Sequence, residues 1–188
     1  MKRLFIAVPI QEKTRNEIAQ GIFADTRTKM LPVRWTNIQN LHLTLQFLGD
    51  TDEKRIPVLK QIVNRLGTSG IAEELTFTNI GAFPNPSNPR VIWIGGKENE
   101  SLRKIQRQLT ADLIRNGFSA DQKKFKAHLT LGRVKENVPV PPDMMDYLEI
   151  LRGNINVSAS PLDRVTLFES QLKPGGPIYT VLYEKNFS

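Results

Sequence analysis

Two rhythms of apolar residues alternate along the chain. Leu4 to Val8 is an apolar run of strand length, and Ile18, Ile22 and Phe23 then recur at helical spacing between about residues 12 and 29. Leu41 to Leu48 has the two-residue period of a strand. It is followed by the stripe Ile56, Leu59, Ile62, Val63 and Leu66, a helix that Thr51 or Asp52 is placed to cap. A strand is predicted near Leu75 to Ile80. Gly81 to Pro89 carries Pro84, Pro86, Pro89, Asn85 and Asn88, which predicts a long loop and the best internal boundary.

After that boundary the order repeats. Arg90 to Ile94 reads as a strand, Leu102, Ile105, Leu109 and Leu113 form a helix stripe closed by Gly117, and Ala127 to Val134 alternates again. A shift of 86 residues carries the Leu4–Val8 run onto Arg90–Ile94. Further alternating segments are predicted near Ile150–Val157, Leu162–Phe168 and Ile178–Tyr183, punctuated by Pro139, Pro141, Pro142 and the run Pro174-Gly175-Gly176-Pro177. Strands gathered beside helices predict an α+β fold with antiparallel sheets. Residues 1–188 read as one bilobal domain whose two pseudo-symmetric halves, 1–85 and 86–188, flank a central cleft.

Within this pattern the chain's only two histidines stand in identical tetrapeptides, His42-Leu43-Thr44-Leu45 and His128-Leu129-Thr130-Leu131. On a strand, His42 and Thr44 share one face while Leu41, Leu43 and Leu45 share the other, and the second copy repeats this. Each motif therefore offers an imidazole and a hydroxyl side by side above a leucine anchor. A threonine donates to a phosphoryl oxygen, and an imidazole gives or takes a proton near neutrality. Two such pairs facing each other suit a phosphodiester held between an acid and a base. One histidine on a strand is ordinarily a core or surface residue, but exact repetition favours chemistry.

Composition narrows the partners. The 188 residues include 26 Lys and Arg against 19 Asp and Glu, a net charge of +7, which favours a polyanion; dispersed over the chain, the same charges also read as a solvated basic surface. Met1-Lys2-Arg3 before Leu4–Ile10 imitates a secretion signal, but Pro9 and the polar Gln11-Glu12-Lys13 cut the run short, so it is read as a strand. No membrane association is expected. Cysteine is absent, which fits a cytoplasmic setting and leaves no thiol nucleophile or ligand. Zinc is the competing use of two imidazoles, yet neither motif carries a carboxylate at alternate spacing, and Asp50 is placed beyond the strand. No metal and no cofactor is expected, and Gly95-Gly96-Lys97 lacks the spacing of a Walker phosphate loop. A Ser-His-Asp triad would leave the duplication unexplained.

The chain resembles the 2H phosphoesterases, and within them the RNA 2′,3′-cyclic phosphodiesterases also called 2′-5′ RNA ligases. The resemblance runs through Arg3-Leu4-Phe5-Ile6-Ala7, the block from Asn40 to Gly49, and Phe83-Pro84-Asn85-Pro86 leading to Pro89-Arg90-Val91-Ile92-Trp93. It continues in Ala127 to Val134 and ends in Leu172 to Tyr179. It implies a bilobal fold with the motifs facing across a cleft, and metal-independent hydrolysis of RNA 2′,3′-cyclic phosphate ends to 2′-phosphates, with reversible 2′-5′ ligation through the same intermediate. It further implies that His42 donates a proton to the departing 3′ oxygen, His128 activates water, and Thr44 and Thr130 hold the phosphate. The expected partner is RNA with cyclic phosphate ends, and a monomer is expected. A non-catalytic RNA-binding protein using the same cleft is the alternative.

Arg133 is a candidate contact to phosphate or base, although strict alternation puts it on the face opposite His128 unless the strand bends at Gly132. A solvated basic residue is the ordinary reading. Phe83 and Tyr179 are candidates for stacking on a base, Trp93 is expected in the core, and Lys173 is expected on the surface.

Overall fold

The repeated strand–helix–strand order builds a sheet whose middle is the pair of histidine motifs. The structure is a computed structural model and describes residues 1–67, 73–121 and 124–187. Ten strands occur among them: β1 (Lys2–Pro9), β2 (Val33–Trp35), β3 (His42–Thr51), β4 (Glu74–Leu75), β5 (Asn79–Asn85), β6 (Asn88–Gly95), β7 (His128–Val134), β8 (Ser160–Pro161), β9 (Arg164–Lys173) and β10 (Gly176–Asn186). The helices are α1 (Glu12–Ile18), α2 (Thr26–Met30), α3 (Ile56–Arg65), α4 (Glu100–Arg115) and α5 (Met144–Gly153), with a π turn over Ala19–Phe23. The main sheet runs β10-β9-β1-β3-β7-β6-β5, with β2 also on β7, and β4 pairs with β8 apart from it. All the ladders are antiparallel.

The two halves of the sheet join at one point, where Leu43 of β3 faces Leu129 of β7. From there β3 continues along β1, and β2 takes the place beside β7 from Gly132 to Val134. The three strands β9-β1-β3 mirror β5-β6-β7, which is the internal duplication in physical form. The halves exchange outer strands across the 85/86 division: β5 lies beside β6, and from the far end of the chain β9 lies beside β1 with β10 outside it.

Leu4, Ile6 and Val8 of β1, Ile92 and Ile94 of β6, and the two junction leucines meet Leu59, Ile62 and Val63 of α3 and Leu102, Ile105 and Leu109 of α4 in one core cluster. Each fully buried aliphatic side chain of this kind contributes about 1.5–3 kcal/mol relative to exposure, so the leucines anchor the motifs firmly. Asp52 caps the turn that leads into α3, accepting from the Lys54 amide, and Asn99 caps α4 through the Leu102 amide.

Three elements differ from expectation. Gly81–Pro89 is a hairpin rather than a long loop: β5 and β6 pair from Asn79↔Gly95 to Asn85↔Asn88, with a register shift at Phe83/Pro84 and a cis Phe83–Pro84 bond. β5 is an edge strand, where prolines cost no ladder bond on the open side. Of the segment predicted as a strand over Ile150–Val157, Ile150 to Gly153 instead form the end of α5, whose Met144 and Leu148 are the buried pair, and Asn154 to Val157 are turn and irregular chain. Strand β3 also runs to Thr51, so Asp50 lies inside it, opposite Arg3.

Candidate active site

A bulge at the same place in each motif shapes the site. Along β1, Ile6 and Ala7 face Gln46 and Thr44, so Leu45 is an extra residue in β3; along β6, Ile92 and Trp93 face Gly132 and Thr130, so Leu131 is extra in β7. The bulge reverses the alternation beyond it. Gln46 turns inward, donating to Thr110 and to the Asp121 carbonyl and accepting from the Asp121 amide. Arg133 turns outward onto the face of His128 and Thr130. The bend expected at Gly132 thus occurs one residue earlier.

His42 and His128, each next to a junction leucine, project from the face opposite the core. Each Nδ1 meets the main-chain carbonyl two residues back, Asn40 at 2.6 Å and Lys126 at 2.7 Å. A carbonyl only accepts, so each Nδ1 must donate, and each Nε2 is left as the working atom: a lone pair on the neutral ring, a proton on the charged one. The Asn40 side chain in turn donates to the Pro177 carbonyl at 2.8 Å and ties the first motif to β10.

Aromatic rings wall both imidazoles. His42 lies 4.8 Å from Phe5 and meets Tyr179 edge-on at 5.3 Å, with Phe168 at 6.4 Å. His128 meets Phe83 edge-on at 5.0 Å and Trp93 at 6.2 Å. Burial pushes the His42 pKa below 6.5, with the His128 charge acting the same way and the Asn40 carbonyl opposing. Burial likewise pushes His128 below 6.5, opposed by the Lys126 carbonyl and assisted by the Lys126 ammonium. Burial raises the Tyr179 phenol, and the charge of Arg133 moderates the rise, which sets that cation near Tyr179.

Thr44, Thr130, His128 and Arg133 all line one cavity of about 1030 Å³, together with Phe83, Trp93 and Lys126. His42 is not among the residues that line this cavity and sits against Phe5, Phe168 and Tyr179. Trp93 is 3% exposed, a core residue as expected, with its indole laid across Gly81. Phe83 and Tyr179 do flank the histidines, whereas Lys173 sits exposed at the end of the β9–β10 hairpin. Sequence reasoning missed Phe5 and Phe168, whose apolar character reads as core, and Lys126, whose position two residues before a motif was the available signal. Among the described residues no three His, Cys, Asp or Glu side chains gather into a metal site.

The family described as LigT like Phosphoesterase matches twice, over residues 8–93 and 94–179. The chain belongs to this family. It is 34% identical over 187 residues to the RNA 2′,3′-cyclic phosphodiesterase of Thermotoga maritima, covering 98% of this chain and 95% of that one. The protein of the same name from Methanocaldococcus jannaschii is 35% identical over 185 residues, 97% and 99% of the two chains. The crystal structure of TT0787 of Thermus thermophilus superposes with a TM-score of 0.79 at 28% identity, covering 98% of this chain and 97% of the other. The bilobal α+β fold and the phosphoesterase family are thereby established together.

Proposed function

We propose that this chain hydrolyses the 2′,3′-cyclic phosphate ends of RNA to 2′-phosphates, with two histidines and no metal. The observation that carries the reading is the pair of imidazoles on touching antiparallel strands, each fixed through Nδ1 with Nε2 free and each accompanied by a threonine hydroxyl. Relatives similar over nearly the whole chain are RNA 2′,3′-cyclic phosphodiesterases, which supports the substrate class.

In this reading the cyclic phosphodiester sits between the motifs, Thr44 and Thr130 donating to its two non-bridging oxygens. His128 takes a proton from water as the water oxygen bonds to phosphorus. The P–O3′ bond breaks, and His42 delivers a proton to O3′, leaving a 3′ hydroxyl and a 2′ phosphomonoester. Because a charge on His128 disfavours one on His42, the pair accepts a first proton more readily than a second, which is the ionisation an acid–base couple needs. Arg133 on the cleft face and the +7 net charge favour an anionic chain.

Turnover of a nucleoside 2′,3′-cyclic monophosphate, with and without EDTA, tests the reading. Equal hydrolysis in both is expected, with a 2′-monophosphate as product. Activity lost to chelator and restored by zinc contradicts the metal-free mechanism, and tight binding without turnover favours an RNA-binding protein using the same cleft.

A further inference from the structure

The internal two-fold makes the histidines equivalent, so something outside the motifs must make them differ. Two residues before His42 stands Asn40, which is neutral; two residues before His128 stands Lys126. Both lend a carbonyl to the adjacent imidazole, but only Lys126 also brings a charge. Its Nζ is 3.9 Å from the Trp93 ring centroid and 5.8 Å from that of Phe83, the two rings that pack against His128. Attraction to the faces of these rings holds the ammonium on the His128 side of the cleft.

We propose that Lys126 is a positioning residue that reserves the proton-accepting role for His128, its carbonyl orienting the ring and its ammonium keeping the ring uncharged. The inference rests on the two-histidine reading and adds to it the device that breaks the equivalence.

Other charges surround the cleft. Arg133 is on the same strand, Lys97 and Glu98 follow β6, Arg103 lies on α4, and Asp121 and Lys124 precede the motif. Glu98 is engaged by Arg103. His42 across the junction is the titratable group from β3, and the residues that β5 and β6 set against His128 are the uncharged Phe83, Trp93 and Gly95. Of all these, the Lys126 ammonium is the charge that bears on His128, in the direction that favours the neutral ring. Among the described residues, no lysine or arginine contributes to the lowering of the His42 pKa.

With two histidines in the chain, an NMR pH titration of ring-labelled protein yields two curves. In Lys126→Met the His128 curve should move to higher pH while the His42 curve stays, and the acid limb of kcat/KM should move with it. Lys126→Arg should restore both. Lys126 is exposed, so in the unmodified protein added salt should raise the His128 pKa and leave that of Lys126→Met nearly unchanged. This salt arm stands even if the methionine variant folds poorly. An unmoved His128 curve, or a shift of both histidines together, overturns the proposal. The titrations need no turnover, so they judge Lys126 separately from the proposed activity, which fails only if cyclic phosphates are not hydrolysed.

Discussion

The proposed mechanism asks His42 to be an acid although its surroundings discourage its charge. The two facts agree once the substrate is considered. A box made by Phe5, Phe168 and Tyr179 makes an imidazolium costly, but the same low dielectric magnifies its attraction to an anionic phosphodiester. Binding of the anion should therefore draw a proton onto His42. The pH profile follows with a definite sign. In kcat/KM, which reports the free enzyme, activity falls below the pKa of the base and above that of the acid, and the optimum lies midway. Both values are pushed below 6.5, so the kcat/KM optimum should fall on the acid side of 6.5, and the kcat optimum should lie higher because bound phosphate raises both. Parallel profiles on a cyclic mononucleotide check this; a kcat/KM optimum above 6.5 contradicts the burial argument.

At the scale of the elements, the β5–β6 wall beside His128 depends on close approach at Gly81. A Cβ built on Gly81 would lie 2.1 Å from Cζ2 of Trp93, whose ring reaches across from β6 and touches His128. Gly81→Ala should push the indole off β5, destabilising the protein by about 1–3 kcal/mol as overpacked sites do, and lowering activity as His128 loses a wall. Urea unfolding checks the first effect and a cyclic phosphate assay the second; a variant of unchanged stability would contradict the packing of the indole across Gly81. The elements that carry this geometry were legible wherever periodicity was clean, as in β1, β3, α3, α4 and β7. The β5–β6 hairpin was not, because Pro84, Pro86 and Pro89 break strands in general, whereas here Pro84 lies at a bulge of the edge strand β5, Pro86 lies in the turn, and Pro89 lies near the start of β6, before its pairing with β7 begins at Val91. Helix α5 was obscured because Ile150, 65% exposed, lies next to Leu151, an apolar pair that disguised the buried stripe of Met144 and Leu148. Arg133 had its face hidden for a related reason: a bulge at Leu131 shifts the alternation by one, and one extra residue leaves no mark in a pattern of apolar and polar positions.

The whole molecule is a duplicated scaffold put to an unequal use. Both motifs keep the histidine, the threonine, the bulged leucine and the carbonyl that fixes Nδ1, while Asn40 against Lys126 and Phe47 against Arg133 break the two-fold. The proposed reaction requires that inequality, because in it one imidazole releases a proton where the other receives one. A change of leaving group separates them. A general acid contributes about 10²–10⁴-fold, and its help matters most when a ribose alkoxide departs. The measurement is kcat and KM for His42→Ala and His128→Ala on a nucleoside 2′,3′-cyclic phosphate and on a p-nitrophenyl phosphodiester, whose nitrophenolate leaves without a proton. His42→Ala should lose nearly all activity on the cyclic phosphate and retain much of it on the nitrophenyl ester, while His128→Ala is impaired on both. Retention by His128→Ala in place of His42→Ala would reverse the roles, and full activity of either variant on the cyclic phosphate would contradict two-histidine catalysis itself.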